Sequence, residues 1–165
     1  MGLAEDMEQV ARQERELVLP RLDAEVAWEL GSSLRAMAVE RGYGVAIDVR
    51  RFGQPLFYSA LEGTTPDNVE WVRRKSNVVA RLYRSSYAVG LSLALKKQTL
   101  EEKYGMFGTD YMAHGGAFPL TVENAGVVGC ATVSGLPQRA DHELVVEALC
   151  LALGRDYAAL RLSGD

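Results

Sequence analysis

The sequence predicts an α+β protein with helices packed on a mainly antiparallel sheet. Two observations lead to this. Residues 45–58 and 118–133 each alternate apolar with polar or small side chains on either side of a turn, the pattern of a β-hairpin. Stretches of helical periodicity precede, separate and follow them, around residues 22–41, 65–82 and 137–149. At 165 residues the chain reads as a single domain over 1–165, with 1–15 as a helical N-terminal extension and 155–165 as a tail.

Taken in order, residues 4–17 carry Leu3, Met7, Val10 and Ala11 at helical spacing, a short helix that needs a partner surface. Leu17-Val18-Leu19, stopped by Pro20, reads as an edge strand. Leu22, Val26, Leu30, Leu34 and Met37 form one stripe, widened by Trp28, Ala27 and Ala38, and Gly42 ends the helix. Val45, Ile47 and Val49 alternate with Ala46, Asp48 and Arg50, and the chain turns at Phe52-Gly53-Gln54 into a return strand. Asp48 and Arg50 share the less apolar face, a solvated or helix-covered one, where a surface ion pair is expected.

Thr65-Pro66-Asp67 marks a helix start, with a capping hydroxyl, a proline at the first position and an acid at the positive end. Val69, Val72, Val79 and Leu82 face inward there, and Arg73, Arg74, Lys75, Arg81 and Arg84 read as a solvated face. Ser85-Ser86 breaks the pattern, and residues 87–95 read as a second buried helix, a strand being the alternative. Residues 96–112 form a long connection with a helical turn at 100–104. Phe118, Leu120 and Val122 alternate, Glu123 to Gly126 turns the chain, and residues 127–133 return. Small Gly129, Ala131 and Ser134 suggest a close approach by another element. Pro137 opens the last helix, with Leu144, Val145, Ala148, Leu149 and Ala152 facing the core; the tail after Gly154 is expected to be partly ordered.

Composition narrows the function classes. A net charge of -4 gives no electrostatic reason to expect nucleic acid as a partner. No apolar run approaches the ~20 residues that span a bilayer, and the N-terminal stretch lacks the features of a signal peptide. Cys130 and Cys150 are not spaced as a metal or redox motif and read as buried free thiols. A cytoplasmic protein without a membrane partner is the expectation.

The segments AIDVRR, EGTTPDNVEWVRRKSNVV, AHGGAFPLTV and GVVGCATVSGLPQRADHELVVEAL resemble the uncharacterised branch of the haem-degrading-domain family, related to GlcG and HbpS-type proteins. The resemblance runs from about Leu17 to Leu153. It implies a profilin-like (GlcG-like) α/β/α sandwich around a five-stranded, mainly antiparallel sheet, and a homo-oligomer, dimer or larger. It also makes haem the one cofactor to consider. Haem iron needs an axial ligand, and the histidines on offer are His114 and His142, with none in the N-terminal half.

His114-Gly115-Gly116 is the leading ligand-binding candidate. Two glycines let backbone amides converge as in an anion-binding nest, and an adjacent imidazole can bind a carboxylate or phosphate, ligate a metal or move a proton. The structural account is a tight turn in which His114 bonds a neighbouring carbonyl. Arg73, Arg74 and Lys75 would join an anion site if the end of their helix lay beside this loop. His142 shares a helical face with Val145, Val146 and Leu149, and reads as a packed, hydrogen-bonded histidine. It becomes a ligand only if it meets His114, with Asp141 or Glu143. Asp141 and Glu143 are otherwise explained by the helix dipole. No catalytic set and no metal set assembles. The expected function is therefore an oligomeric module for a small anionic or haem-like ligand. The alternatives are a scaffold or interaction protein using the basic helix, and an enzyme using His114 for acid/base or metal chemistry.

Overall fold

A computed structural model describes residues 2–164; positions 1 and 165, which the expected domain also included, lie outside the described residues. The elements are α1 (Leu3–Glu16), β1 (Val18–Leu19), α2 (Ala24–Arg41), β2 (Ala46–Arg51), β3 (Gln54–Ala60), α3 (Pro66–Leu82), α4 (Ser86–Lys96), α5 (Leu100–Tyr104), β4 (Ala117–Val122), β5 (Gly126–Ser134), α6 (Gln138–Leu153) and α7 (Tyr157–Leu160). The sheet has five strands in the order β1-β4-β5-β2-β3. Pairings β2·β3, β2·β5 and β4·β5 are antiparallel, and only the short β1 runs parallel, to β4.

The period of two along each strand sorts side chains between two helix layers. Ile47, Val49, Phe57, Phe118, Leu120, Ala131 and Val133 pack with Leu30 and Leu34 of α2 and with Val145, Ala148 and Leu149 of α6. Ala117 and Cys130 point to the other face and meet Val79 of α3. The result is the α/β/α sandwich expected. Helix starts are fixed locally: Asp23, Thr65, Ser85 and Thr99 each accept a backbone amide of the helix that follows. Residues 87–95 belong to helix α4, which settles the helix-or-strand alternative.

Several expectations are corrected. Lys75 is 3 % exposed, not part of a solvated face, and Val69, expected inward, is 49 % exposed. Asp48 is buried, and Arg50 grips it with two hydrogen bonds of 2.6 and 2.8 Å, so the expected surface pair is an interior one roofed by α3. Trp28 does not widen the α2 core stripe: it lies exposed with its ring edge-on to Phe57. Ala152 is exposed as well. Helix α1 docks through a polar face, with Asp6 and Gln13 buried beside Val10. The tail does not trail away, since Leu160 and Leu162 are buried.

Candidate functional site

Four elements converge at one end of the sheet. Helix α3 brings Asn68, Trp71 and Lys75; the loop before β4 brings His114, Gly115 and Gly116; the end of β5 brings Ser134; and the first turns of α6 bring Gln138 and Asp141. Asn68 completes the capping box of α3 with Thr65 and also donates through Nδ2 to Ser134, at 3.3 Å from both its carbonyl oxygen and its hydroxyl. That contact ties the start of α3 to the end of β5.

The floor of this site is an ion pair. Lys75 Nζ donates to Asp141 Oδ2 at 3.0 Å and to the Val133 carbonyl at 3.2 Å. Asp141 also accepts the amides of Gly135 at 3.3 Å and Leu136 at 2.9 Å. Burial lowers the Lys75 pKa from the ordinary lysine value, although the facing carboxylate pulls the other way. Burial likewise raises Asp141, against the pull of Lys75 and the two amides. Burial thus disfavours the charged form of each partner, and the contact between them favours it.

His114 stands over this pair. Its ring stacks on Trp71 with centroids 5.5 Å apart, and the Arg74 guanidinium lies 4.6 Å from the Trp71 ring centre. Partial burial, then the charges of Lys75 and Arg74, lower the His114 pKa, so the imidazole is neutral near pH 7. It borders two cavities. One, of about 230 Å³, is lined by Asn68, Trp71, Lys75, Ser134, Gln138 and Asp141. The other, of about 630 Å³, is largely apolar and includes Leu93, Leu100, Met106, Tyr111 and Met112. Gln138 also lines both.

The structure brings together some of the expected site residues and separates others. Gly115 and Gly116 do lie beside His114, but they do not form an open nest: the Gly115 amide is taken by Gln138 Oε1 at 3.0 Å. Their role is close approach. At Gly116, with φ +139, a Cβ would fall 2.3 Å from the Val133 oxygen and 2.8 Å from Lys75 Nζ. At Gly115 it would fall 2.3 Å from the Gln138 oxygen. Arg73 is turned away onto the loop of α5, bonding Asp110, the Thr109 carbonyl and Glu70. Arg74 reaches the site through the Trp71 ring and through the Gly108 carbonyl, which its guanidinium meets at 3.3 Å. His142 is fully buried between Phe118 and Tyr87, with Nε2 2.7 Å from Gln13 Oε1. It cannot meet a ligand there, and among the described residues no group of His, Cys, Asp or Glu could hold a metal ion.

Motif reading weighed Lys75 as part of an anion site and Asp141 as part of a metal set, but missed that the two pair with each other in the interior. The signal was present in the helical periodicity. Lys75 lies three residues after Val72 and four before Val79, which places it on the inward face of α3. Asp141 lies four before Val145 and shares the inward face of α6.

The fold is thus an α/β/α sandwich with a cavity at the end of its sheet, walled by a loop and by the starts of two helices. Residues 22–150 match the family described as haem degrading protein HbpS-like, and the chain belongs to that family. A UPF0303 protein of Acidobacterium capsulatum is 63% identical over 162 residues, covering 98% of each chain. Among solved structures, the Ybr137w protein superposes with a TM-score of 0.84 at 29% identity, over 90% of this chain and 87% of that one. HbpS superposes with a TM-score of 0.63 at 24% identity, over 82% of this chain and 92% of that one, a likeness of fold. No helix of the described residues is long and apolar enough to cross a membrane.

Proposed function

We propose that the protein is a small-ligand-binding module whose binding centre is the pair of cavities meeting at His114. One observation carries this reading: a single neutral imidazole, with Gln138, walls both a polar cavity floored by Lys75–Asp141 and an apolar cavity of about 630 Å³. That volume lies within the range of ~300–1,000 Å³ usual for ligand and cofactor sites.

Haem is the first ligand to test, because the family is described as haem degrading. The residues present fit it in one way. His114 is exposed and can offer iron an unprotonated nitrogen, while Leu93, Leu100, Met106 and Met112 would cover the porphyrin. Bound haem would supply a redox-active iron. His142 and both cysteines are buried and take no part. Haemin titration should give a saturable Soret shift that His114→Ala abolishes. A shift unchanged by His114→Ala, or no shift, removes haem from this site.

We also propose a cytoplasmic homo-oligomer. The support is the open β3 edge, flanked by two exposed aromatics, Trp28 at 62 % exposure on one face of the sheet and Tyr58 at 43 % on the other. Light scattering on the purified protein should give a mass at least double that of the chain, and a monomer at micromolar concentration would exclude it.

A further inference from the structure

The polar cavity ends on a buried amine that the haem reading leaves without a role. Lys75 Nζ has one acidic partner, Asp141, at 3.0 Å, and Gly116 holds the opposite wall so close that no side chain fits between. The space in front is about 230 Å³, the share of liquid volume of about eight water molecules at ~30 Å³ each. The ligand is therefore small. Arg74 and Lys75 both act on His114 at the cavity mouth, and Asp141 is the carboxylate that faces Lys75. Gln138, whose Oε1 is engaged by Gly115, leaves its NH2 group without a hydrogen-bond partner among the described residues. Such a site suits a carboxylate next to an electrophilic carbonyl.

We propose that Lys75 forms an imine with a small 2-oxo acid seated in the cavity between Trp71, His114 and Asp141. The inference rests on reading the His114 cavities as a ligand site, and assigns the polar one its chemistry. Asp141 takes a proton from the Lys75 ammonium, and the amine attacks the carbonyl carbon. The N–C bond forms as the C=O π pair moves to oxygen, which takes that proton back from Asp141. Asp141 then removes a second proton from nitrogen and passes it to the hydroxyl. The C–O bond breaks, water leaves, and the nitrogen lone pair closes the C=N bond. Both protons of the water come from Lys75, Asp141 ends as a carboxylate, and the protonated imine keeps the positive charge that it faces. No oxidant or reductant takes part. The ligand's carboxylate is held by the His114 and Gln138 donors. Burial keeps a share of Lys75 in the amine form that the attack needs.

The chain carries its own controls, because its other lysines, Lys96, Lys97 and Lys103, are all exposed. The full-length protein is incubated with pyruvate and sodium cyanoborohydride and the labelled lysine is located by peptide mass mapping. The proposal expects one reduced adduct at Lys75 ahead of the three exposed lysines, its loss in Lys75→Arg, and slower labelling in Asp141→Asn. With acetaldehyde, which lacks the carboxylate, the preference for Lys75 over the three exposed lysines should be smaller than with pyruvate. Label confined to Lys96, Lys97 and Lys103, where an unfolded control labels all four lysines alike, overturns the proposal, and that result needs no variant to fold. In parallel, pyruvate quenching of Trp71 fluorescence is followed in Trp28→Phe without reductant. Saturable quenching with no adduct at Lys75 overturns the imine and leaves the polar cavity a ligand site. Neither quenching nor adduct overturns both for this cavity.

Discussion

At the residue scale, two buried polar side chains, Lys75 and Asp141, floor the site, and a third, His142, lies apart from it in the core. Lys75 and Asp141 compensate each other, and Gly116 is the residue that lets the chain pass over them. Gly116→Ala puts a Cβ against the Val133 oxygen at a φ that disfavours side chains, so denaturant unfolding should show a loss of about 3 kcal/mol. His142 differs, because burial pushes its pKa down to about 3, and its Nδ1 has no hydrogen-bond partner among the described residues. Its folded value lies below the ordinary 6.5, so the stability it contributes is complete above pH 6.5 and is lost as pH falls toward about 3. Urea unfolding followed across that window should show a decline on the order of 4 kcal/mol attributable to this residue. His142→Gln should flatten the decline. Asp141, with a raised pKa, acts in the opposite sense, so the difference between the two proteins isolates the histidine. The sequence made His142 legible as a core histidine because its apolar neighbours recur at helical spacing. It hid Lys75, because a run of three basic residues reads as surface unless each is placed on the helical wheel. The two carboxylates of α6's first turns looked alike as dipole partners, yet only Asp141 points inward.

At the element scale, the hairpins and capped helices were legible because their signals are local: alternation in β2, β4 and β5, and the Thr65-Pro66 start of α3. What was not legible depends on pairs distant in sequence. Helix α1 looked marginal because its apolar stripe is thin, and its docking face is in fact polar. Gln13 reaches His142, the Leu160 carbonyl at 2.8 Å and Glu143 at 3.1 Å. Asp6 meets Arg139 and the Tyr87 hydroxyl. The tail is fixed by the same cluster, since Glu143 accepts from Tyr157 and from the Leu162 amide. Both termini thus lie outside the matched span 22–150 yet close over its last helix. Gln13→Ala leaves the second nitrogen of His142 unpaired and should cost about 2 kcal/mol in unfolding free energy. Since Gln13 lies outside both cavities, haemin affinity should be unchanged at temperatures where the variant stays folded.

At the scale of the whole molecule, the sandwich assigns different tasks to its two ends. The β3 edge carries the exposed Trp28 and Tyr58, and the Lys75–Asp141 end carries the cavities. The two histidines separate cleanly between environments: His114 at the cavity wall with a neutral ring, His142 sealed in the core. The central claim, that ligands bind at His114, can therefore be read from these two residues. The most direct measurement is the carbon–proton NMR spectrum of histidine-labelled protein during haemin titration. Binding at the proposed centre predicts that the His114 ring signal broadens beyond detection as haemin is added, while the His142 signal persists. A His114 signal that survives saturation with bound haemin, or loss of both signals together at the same point, would contradict it.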